Sequence, residues 1–236
     1  AHLANSCYNI LFEKVNPSYR SLRDYLKLLR KSSVEVHGVW RFDNGKSYYR
    51  HTLKTHTTLD ISPDELYHIG MREKSRVEQQ MRLLLSRLGF SDTLSVAEAM
   101  NKLSLDSRSG TDTTEVGKQN TLDRYKQLLF DAELAIPELF TSLPTDTLDV
   151  ARMSSAKEKT APMTIYRRSR SGRSGLLAFN LGNIDEHVDF MMPTLVLHQC
   201  VPGLHLQRSI REGFTDLPTF RRLISFTAYT EGWAID

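Results

Sequence analysis

Cysteine is nearly missing from this sequence. Cys7 and Cys200 are the only two in 236 residues, too few for a disulfide framework, and Cys200, set among apolar residues, reads as a small packed hydrophobe. Long apolar runs are missing as well. No stretch reaches the roughly 18 residues that a membrane-spanning helix needs, so no membrane span is expected. Excess charge of one sign is also absent, since a formal net charge of +3 is too small to argue for a nucleic-acid partner. The one basic cluster, Arg167, Arg168, Arg170 and Arg173, is interleaved with serine and glycine and reads as a solvated loop rather than a polyanion site. The opening residues Ala1-His2-Leu3-Ala4-Asn5 lack the charged-then-apolar layout of a signal peptide, which leaves the compartment open. No internal repeat or low-complexity tract stands out.

What is present is helical periodicity with one patch of strands. Asn16-Pro17 predicts a helix start, with Tyr19, Leu22, Tyr25, Leu26 and Leu29 at helical spacing. Val34 to Phe42 reads as a short strand before the turn residues Asp43-Asn44-Gly45, and Lys46 to His56 as a helix. Ser62-Pro63-Asp64-Glu65 carries a capping box, and Ser95 with Glu98 repeats it. A long helix is expected from the first to Gly89, a loop over Ser104 to Gly117, and a helix over Thr121 to Ala135 that Pro137 ends. Leu148 to Met153, Met163 to Tyr166 and Leu176 to Leu181 read as strands, with a turn at Ser169 to Gly175. Helical spacing then returns to about Arg211, and a last helix is expected over Leu217 to Ala234. The expected fold class is mainly α with a small β-sheet (α+β) in a single domain, residues 1–140 helical and 141–236 holding the strand patch and motif helices. The pattern opens inside a helical segment and stops five residues after Glu231, so a fragment of a longer chain is expected.

The chemistry concentrates in Leu195 to Gln207. His198 and His205 lie on a largely apolar segment, and Glu231 follows about one element later. Two histidines on one helix with a downstream glutamate form the ligand set of a zinc peptidase. On an ideal helix a seven-residue separation moves two side chains roughly 10 Å along the axis, too far to share one zinc. Pro202 and Gly203 can kink the path and shorten it. In competition with these roles, His198 reads as a satisfied core histidine, and Glu231 as a helix-end carboxylate paired with an arginine such as Arg208 or Arg221. His51, His56 and His68 show no metal-ligand spacing.

At His198-Gln199-Cys200-Val201-Pro202-Gly203-Leu204-His205-Leu206-Gln207 and at Thr227-Ala228-Tyr229-Thr230-Glu231-Gly232-Trp233-Ala234, the chain resembles the family known as domain of unknown function 885, grouped with the zincin metallopeptidases. Asn16 to Tyr19, Gly38-Val39-Trp40, Asn44-Gly45 with Tyr48-Tyr49, His56 to Asp60, and Arg173-Ser174-Gly175 leading to Phe179-Asn180 extend the similarity in the family's order. Members are usually longer on both sides, and many are exported. The resemblance implies a zincin-like, mainly helical fold with zinc held by His198, His205 and Glu231 beneath a cleft. It also implies a peptide or oligopeptide as substrate or ligand, with Tyr229 near the reacting carbonyl and Arg173, Phe179 and Asn180 on the substrate side. An edge strand, by position Leu176 to Leu181, would add the peptide as a further strand.

The same motif is degenerate here. The family's glutamate after the first histidine is Gln199, and a histidine ligand of the family is replaced by Leu204. A carboxamide orients water but does not accept its proton near neutral pH, and general-base catalysis typically contributes 10²–10⁴-fold. The sequence therefore predicts a metallopeptidase-like domain impaired in catalysis, with zinc binding weakened or lost. Two alternatives stand beside it: an active zinc peptidase using His198, His205 and Glu231, with Glu212 or Asp189 activating water, and a purely structural fragment.

Overall fold

The helices begin where short polar side chains can take up orphan backbone N–H groups. In the computed structural model, which describes residues 2–33, 37–108, 112–141, 143, 146–169 and 173–236, the Ser62 hydroxyl accepts the Glu65 N–H at 3.1 Å, and the Glu65 carboxylate accepts the Ser62 N–H at 3.0 Å. Ser95 and Glu98 form the same reciprocal pair, so both predicted capping boxes are present.

Residue contacts divide the chain into two units, Ala1–His51 and Thr52–Asp236. In the first, α1 (His2–Ile10) and α2 (Asn16–Lys31) are joined through a π-helical turn at Leu11–Val15. The predicted start at Asn16-Pro17 is thus a point inside a longer helical run. Proline lacks an N–H and its ring crowds the carbonyl four residues back; the wider turn, closed by Asn16 N–H to Leu11 O, accommodates both. Residues 34–36 of the predicted strand lie outside the described residues. Its remainder holds a 3₁₀ turn at Val39–Arg41, because Gly38, at φ +94°, turns the chain out of an extended path. The predicted Lys46–His56 helix is α3 (Gly45–Thr57), which carries the chain across the boundary between the units.

The second unit begins its regular structure with α4 (Pro63–Arg87), α5 (Val96–Arg108) and α6 (Glu115–Leu139). Of the polar stretch expected as a loop over Ser104 to Gly117, residues 104–108 belong to α5 and residues 115–117 to the first turn of α6, where the Thr114 hydroxyl caps Gly117 N–H, while residues 109–111 lie outside the described residues. α6 also continues two residues past Pro137, its last backbone bond running from Phe140 N–H to Ile136 O at 2.9 Å. Proline removes its own donor and crowds the carbonyl four residues before it, but the N–H groups after it remain, so a helix can finish its closing turn beyond it.

The strands are β1 (Leu148–Arg152), β2 (Thr164–Arg167) and β3 (Gly175–Phe179), with a one-turn helix α7 (Ser155–Glu158) between the first two. Residues 170–172, including Arg170, lie outside the described residues. The sheet order is β1-β3-β2, with β3 parallel to β1 and antiparallel to β2. This overturns the edge-strand expectation for Leu176 to Leu181: β3 is the middle strand, and its backbone groups are already paired on both sides. Its apolar run fits that position, since a central strand meets neighbours on both faces.

After a 3₁₀ turn at Ile184–Glu186, the chain forms α8 (Met192–Gln199), α9 (Leu204–Gly213), α10 (Thr219–Leu223) and α11 (Thr227–Ile235). The single helix expected over Leu217 to Ala234 is therefore two, separated by extended backbone at Ile224 and Phe226. The core gathers Tyr125 and Leu129 from α6, Leu177 and Phe179 from β3, and Val196 from α8, with Leu206 from α9 closing it. The Tyr125 and Phe179 rings stack at 3.8 Å between centroids. Each such side chain contributes about 1.5–3 kcal/mol on full burial, so α8 and α9 are held firmly against the sheet. The class is α+β, as the periodicities implied.

Candidate functional site

The break between α8 and α9 sets the site. Cys200 leaves helical torsions, and its carbonyl then accepts two amides of the next helix, from His205 at 3.0 Å and Leu206 at 3.2 Å. Gly203 N–H reaches back to Leu197 O at 3.0 Å, and a Cβ on Gly203 would overlap the His198 carbonyl oxygen. Only glycine fits this turn. The kink expected at Pro202-Gly203 is there, and it ends one helix and starts another.

α11 is tied to the same turn. The Trp233 indole N–H donates to Pro202 O at 2.7 Å, and His56 meets the first residue of α11, Thr227, at 3.0 Å. That placement brings Glu231 Oε2 to 3.7 Å from His198 Nε2. On the other side of the ring, His198 Nδ1 lies 3.1 Å from the carbonyl of Ala234. A carbonyl only accepts, so this bond holds a proton on Nδ1 and leaves Nε2 facing Glu231. His198 lines a cavity of about 470 Å³ together with Tyr125, Glu186, Thr194 and Trp233. Glu186 and Thr194 are polar wall residues that sequence reasoning missed; neither sits in a motif, and only the fold brings them to His198.

The other predicted residues lie elsewhere. His205, the second residue of α9, is buried and points toward the sheet, its Nδ1 3.0 Å from the Tyr166 hydroxyl of β2. Burial depresses its pKa, with hydrogen bonding and charge at Asp146 opposing. Leu204 is buried as well. Gln199 is half-buried at the last position of α8. Tyr229 precedes Glu231 by two positions, roughly 200° around the helix, and lines a different cavity. Phe179 is fully buried in the core, where no substrate reaches it. Asn180 has its side-chain amide bound to Glu158 O and Ala161 O, and its side-chain oxygen accepts Gly182 N–H; it braces a loop. Arg173 is exposed and does not line the His198 cavity. Glu212 is paired with Arg168 at 3.0 Å.

Donors about 2.0–2.2 Å from a tetrahedral zinc lie roughly 3.3–3.5 Å apart, so the 3.7 Å separation of His198 and Glu231 is within a few tenths of an ångström of shared ligation. A catalytic zinc needs three protein ligands. Among the described residues no group of three His, Cys, Asp or Glu side chains converges. The arrangement brings two donors close to the spacing of shared ligation.

A family model described as "Bacterial protein of unknown function (DUF885)" matches residues 1–235. No curated protein matches the chain. Among solved structures, "the putative lipoprotein from Colwellia psychrerythraea" superposes with a TM-score of 0.89 at 24% identity, over 96% of this chain and 39% of that one. "A putative lipoprotein of unknown function from Shewanella oneidensis" superposes with a TM-score of 0.58 at 13% identity, over 98% of this chain and 42% of that one. These likenesses establish the fold, and the chain spans about two fifths of each of those structures.

Proposed function

This chain belongs to the DUF885 family, and on that footing we propose that it is a metallopeptidase-like domain with a peptide-binding cleft and impaired hydrolysis. One observation carries the reading: Glu231 Oε2 stands 3.7 Å from Nε2 of His198, a residue on the wall of a cavity, while the residue that would take a proton from water is Gln199. The pair supports descent from a metal site, and the missing third donor supports loss of the chemistry. Zinc would be held weakly by His198 and Glu231, and Gln199, the residue after the first ligand, would supply no base. The peptide lies along β2, an edge strand whose preceding residue, Met163, lines the His198 cavity. An added strand there leads to the cavity.

The test is restoration. Gln199→Glu combined with Leu204→His is expected to bind one zinc and cleave short peptides, with the unaltered chain turning over at least about 10²-fold more slowly. Efficient cleavage by the unaltered chain overturns the impairment. A second reading, an active zinc peptidase recruiting another donor, draws on the near-ligation spacing of the pair; stoichiometric zinc in the unaltered protein, lost in His198→Ala, would favour it.

A further inference from the structure

Trp233 also lines a second cavity, of about 490 Å³. Phe214, Phe220, Phe226 and Tyr229 line it, giving it an aromatic interior. None of the described residues lining it is acidic, and two arginines, Arg211 and Arg221, are among them. The Gln207 side chain also lines it, 5% exposed. Its Oε1 is shut off from water with no hydrogen-bond partner, and the Arg211 Nε is in the same condition. A buried polar group left unpaired is disfavoured, so both atoms mark a place where a ligand can supply what the protein does not.

Arg211 also lines a neighbouring polar pocket with Arg168, Arg222, Glu212, Ser169 and Thr219. Three guanidinium groups there face one carboxylate, Glu212, which is already paired with Arg168. An aromatic chamber thus opens beside a cationic one, with Arg211 shared between them. The matching ligand carries a bulky apolar group next to an anion. Planar, fork-shaped guanidinium favours a carboxylate for bidentate binding.

We propose that these two pockets together take the carboxyl-terminal residue of a peptide, its apolar side chain in the aromatic chamber and its α-carboxylate on Arg211 and Arg222. The choice of a peptide over a fatty acid comes from Gln207. Its unpaired Oε1 needs an N–H donor at the apolar end of the ligand; a peptide backbone supplies one and a fatty acid does not. The assignment rests on the peptide-binding reading above and deepens it, giving the cleft a preference for chain ends with a bulky apolar last residue.

The experiment is calorimetric titration of the intact protein with N-acetyl-phenylalanine, its carboxamide N-acetyl-phenylalaninamide, and octanoate. A longer peptide blocked at both ends forms a fourth arm. The acid is expected to bind about tenfold or more tighter than the amide and tighter than octanoate. Arg211→Gln should erase the acid–amide difference, and Gln207→Leu should weaken the acid and leave octanoate unchanged. Near-UV circular dichroism confirms that each variant is folded, and the acid–amide comparison on the unaltered protein needs no variant. If acid and amide bind equally, the carboxylate assignment falls and the peptide-binding reading stands. If octanoate matches the acid, the site is one for apolar anions in general and the assignment falls. If neither the acid nor the blocked peptide binds, both readings fall together.

Discussion

Gly203 has no freedom to become anything else. A Cβ there would run into the carbonyls of His198 and Leu197, so Gly203→Ala must open the α8–α9 turn. We expect a loss of about 2–4 kcal/mol in urea unfolding, together with any metal or peptide binding at His198. An unchanged midpoint would show that the turn is more compliant than its packing implies. Two other histidines make the fold sensitive to acid. His187 is buried, with Nε2 2.7 Å from the carbonyl of Asn180 and Nδ1 2.9 Å from the Tyr125 hydroxyl, a neutral ring serving both neighbours. Burial depresses the pKa of His187, with the Asn180 bond and Glu186 opposing, and burial depresses that of His205 too. The unfolded chain therefore takes up protons first as pH falls. Stability should be full above about pH 6.5 and should decline below it until the folded rings also protonate. His187→Gln should be less stable at pH 7.5 and lose less between pH 7.5 and pH 5. Equal losses in both proteins would rule out His187 as a contributor.

Among the elements, those with local chemical punctuation could be read from the sequence. The reciprocal Ser62/Glu65 and Ser95/Glu98 caps announce their helices, and three short β-rich runs announce the strands. Order within the sheet was not legible, because alternation identifies a strand without naming its neighbours; β3 follows β2 in the chain yet lies between β1 and β2. The division of α10 from α11 was hidden for a related reason, since no proline or glycine marks Ile224 to Phe226. The site was half legible. His198 and Glu231 were found through their motifs, but the turn at Cys200–Gly203 resets the helical phase, and His205 leaves toward Tyr166. What aims Glu231 is the anchoring of α11, and that can be tested separately. Trp233→Phe keeps an aromatic ring, though a smaller one, and deletes the N–H that donates to Pro202 O at 2.7 Å. It should cost about 1 kcal/mol and weaken zinc uptake in the Gln199→Glu, Leu204→His background. Unaltered uptake would mean that α11 is held by its apolar contacts alone.

At the scale of the whole molecule, every residue of the buried core cluster falls between Leu122 and Leu206, inside the second unit. The first unit contributes helices with no buried positions in α1 or α2. Cooperative unfolding should follow from a shared core, since removing one member of a packed cluster exposes its partners. The second unit should thus unfold as a block whose midpoint does not depend on the first. The chain has two tryptophans, Trp40 in the first unit and Trp233 in the second, so each unit carries its own reporter. In a Trp40→Phe background, the Trp233 fluorescence transition in urea should stay within about 0.5 kcal/mol when residues 1–44 are removed, a cut that leaves α3 whole. The near-UV signal of the stacked Tyr125–Phe179 pair should survive the same cut. If truncation instead abolishes that signal or broadens the transition, the core is completed by contacts from residues 1–44, and the division at His51 does not describe how the chain is stabilised.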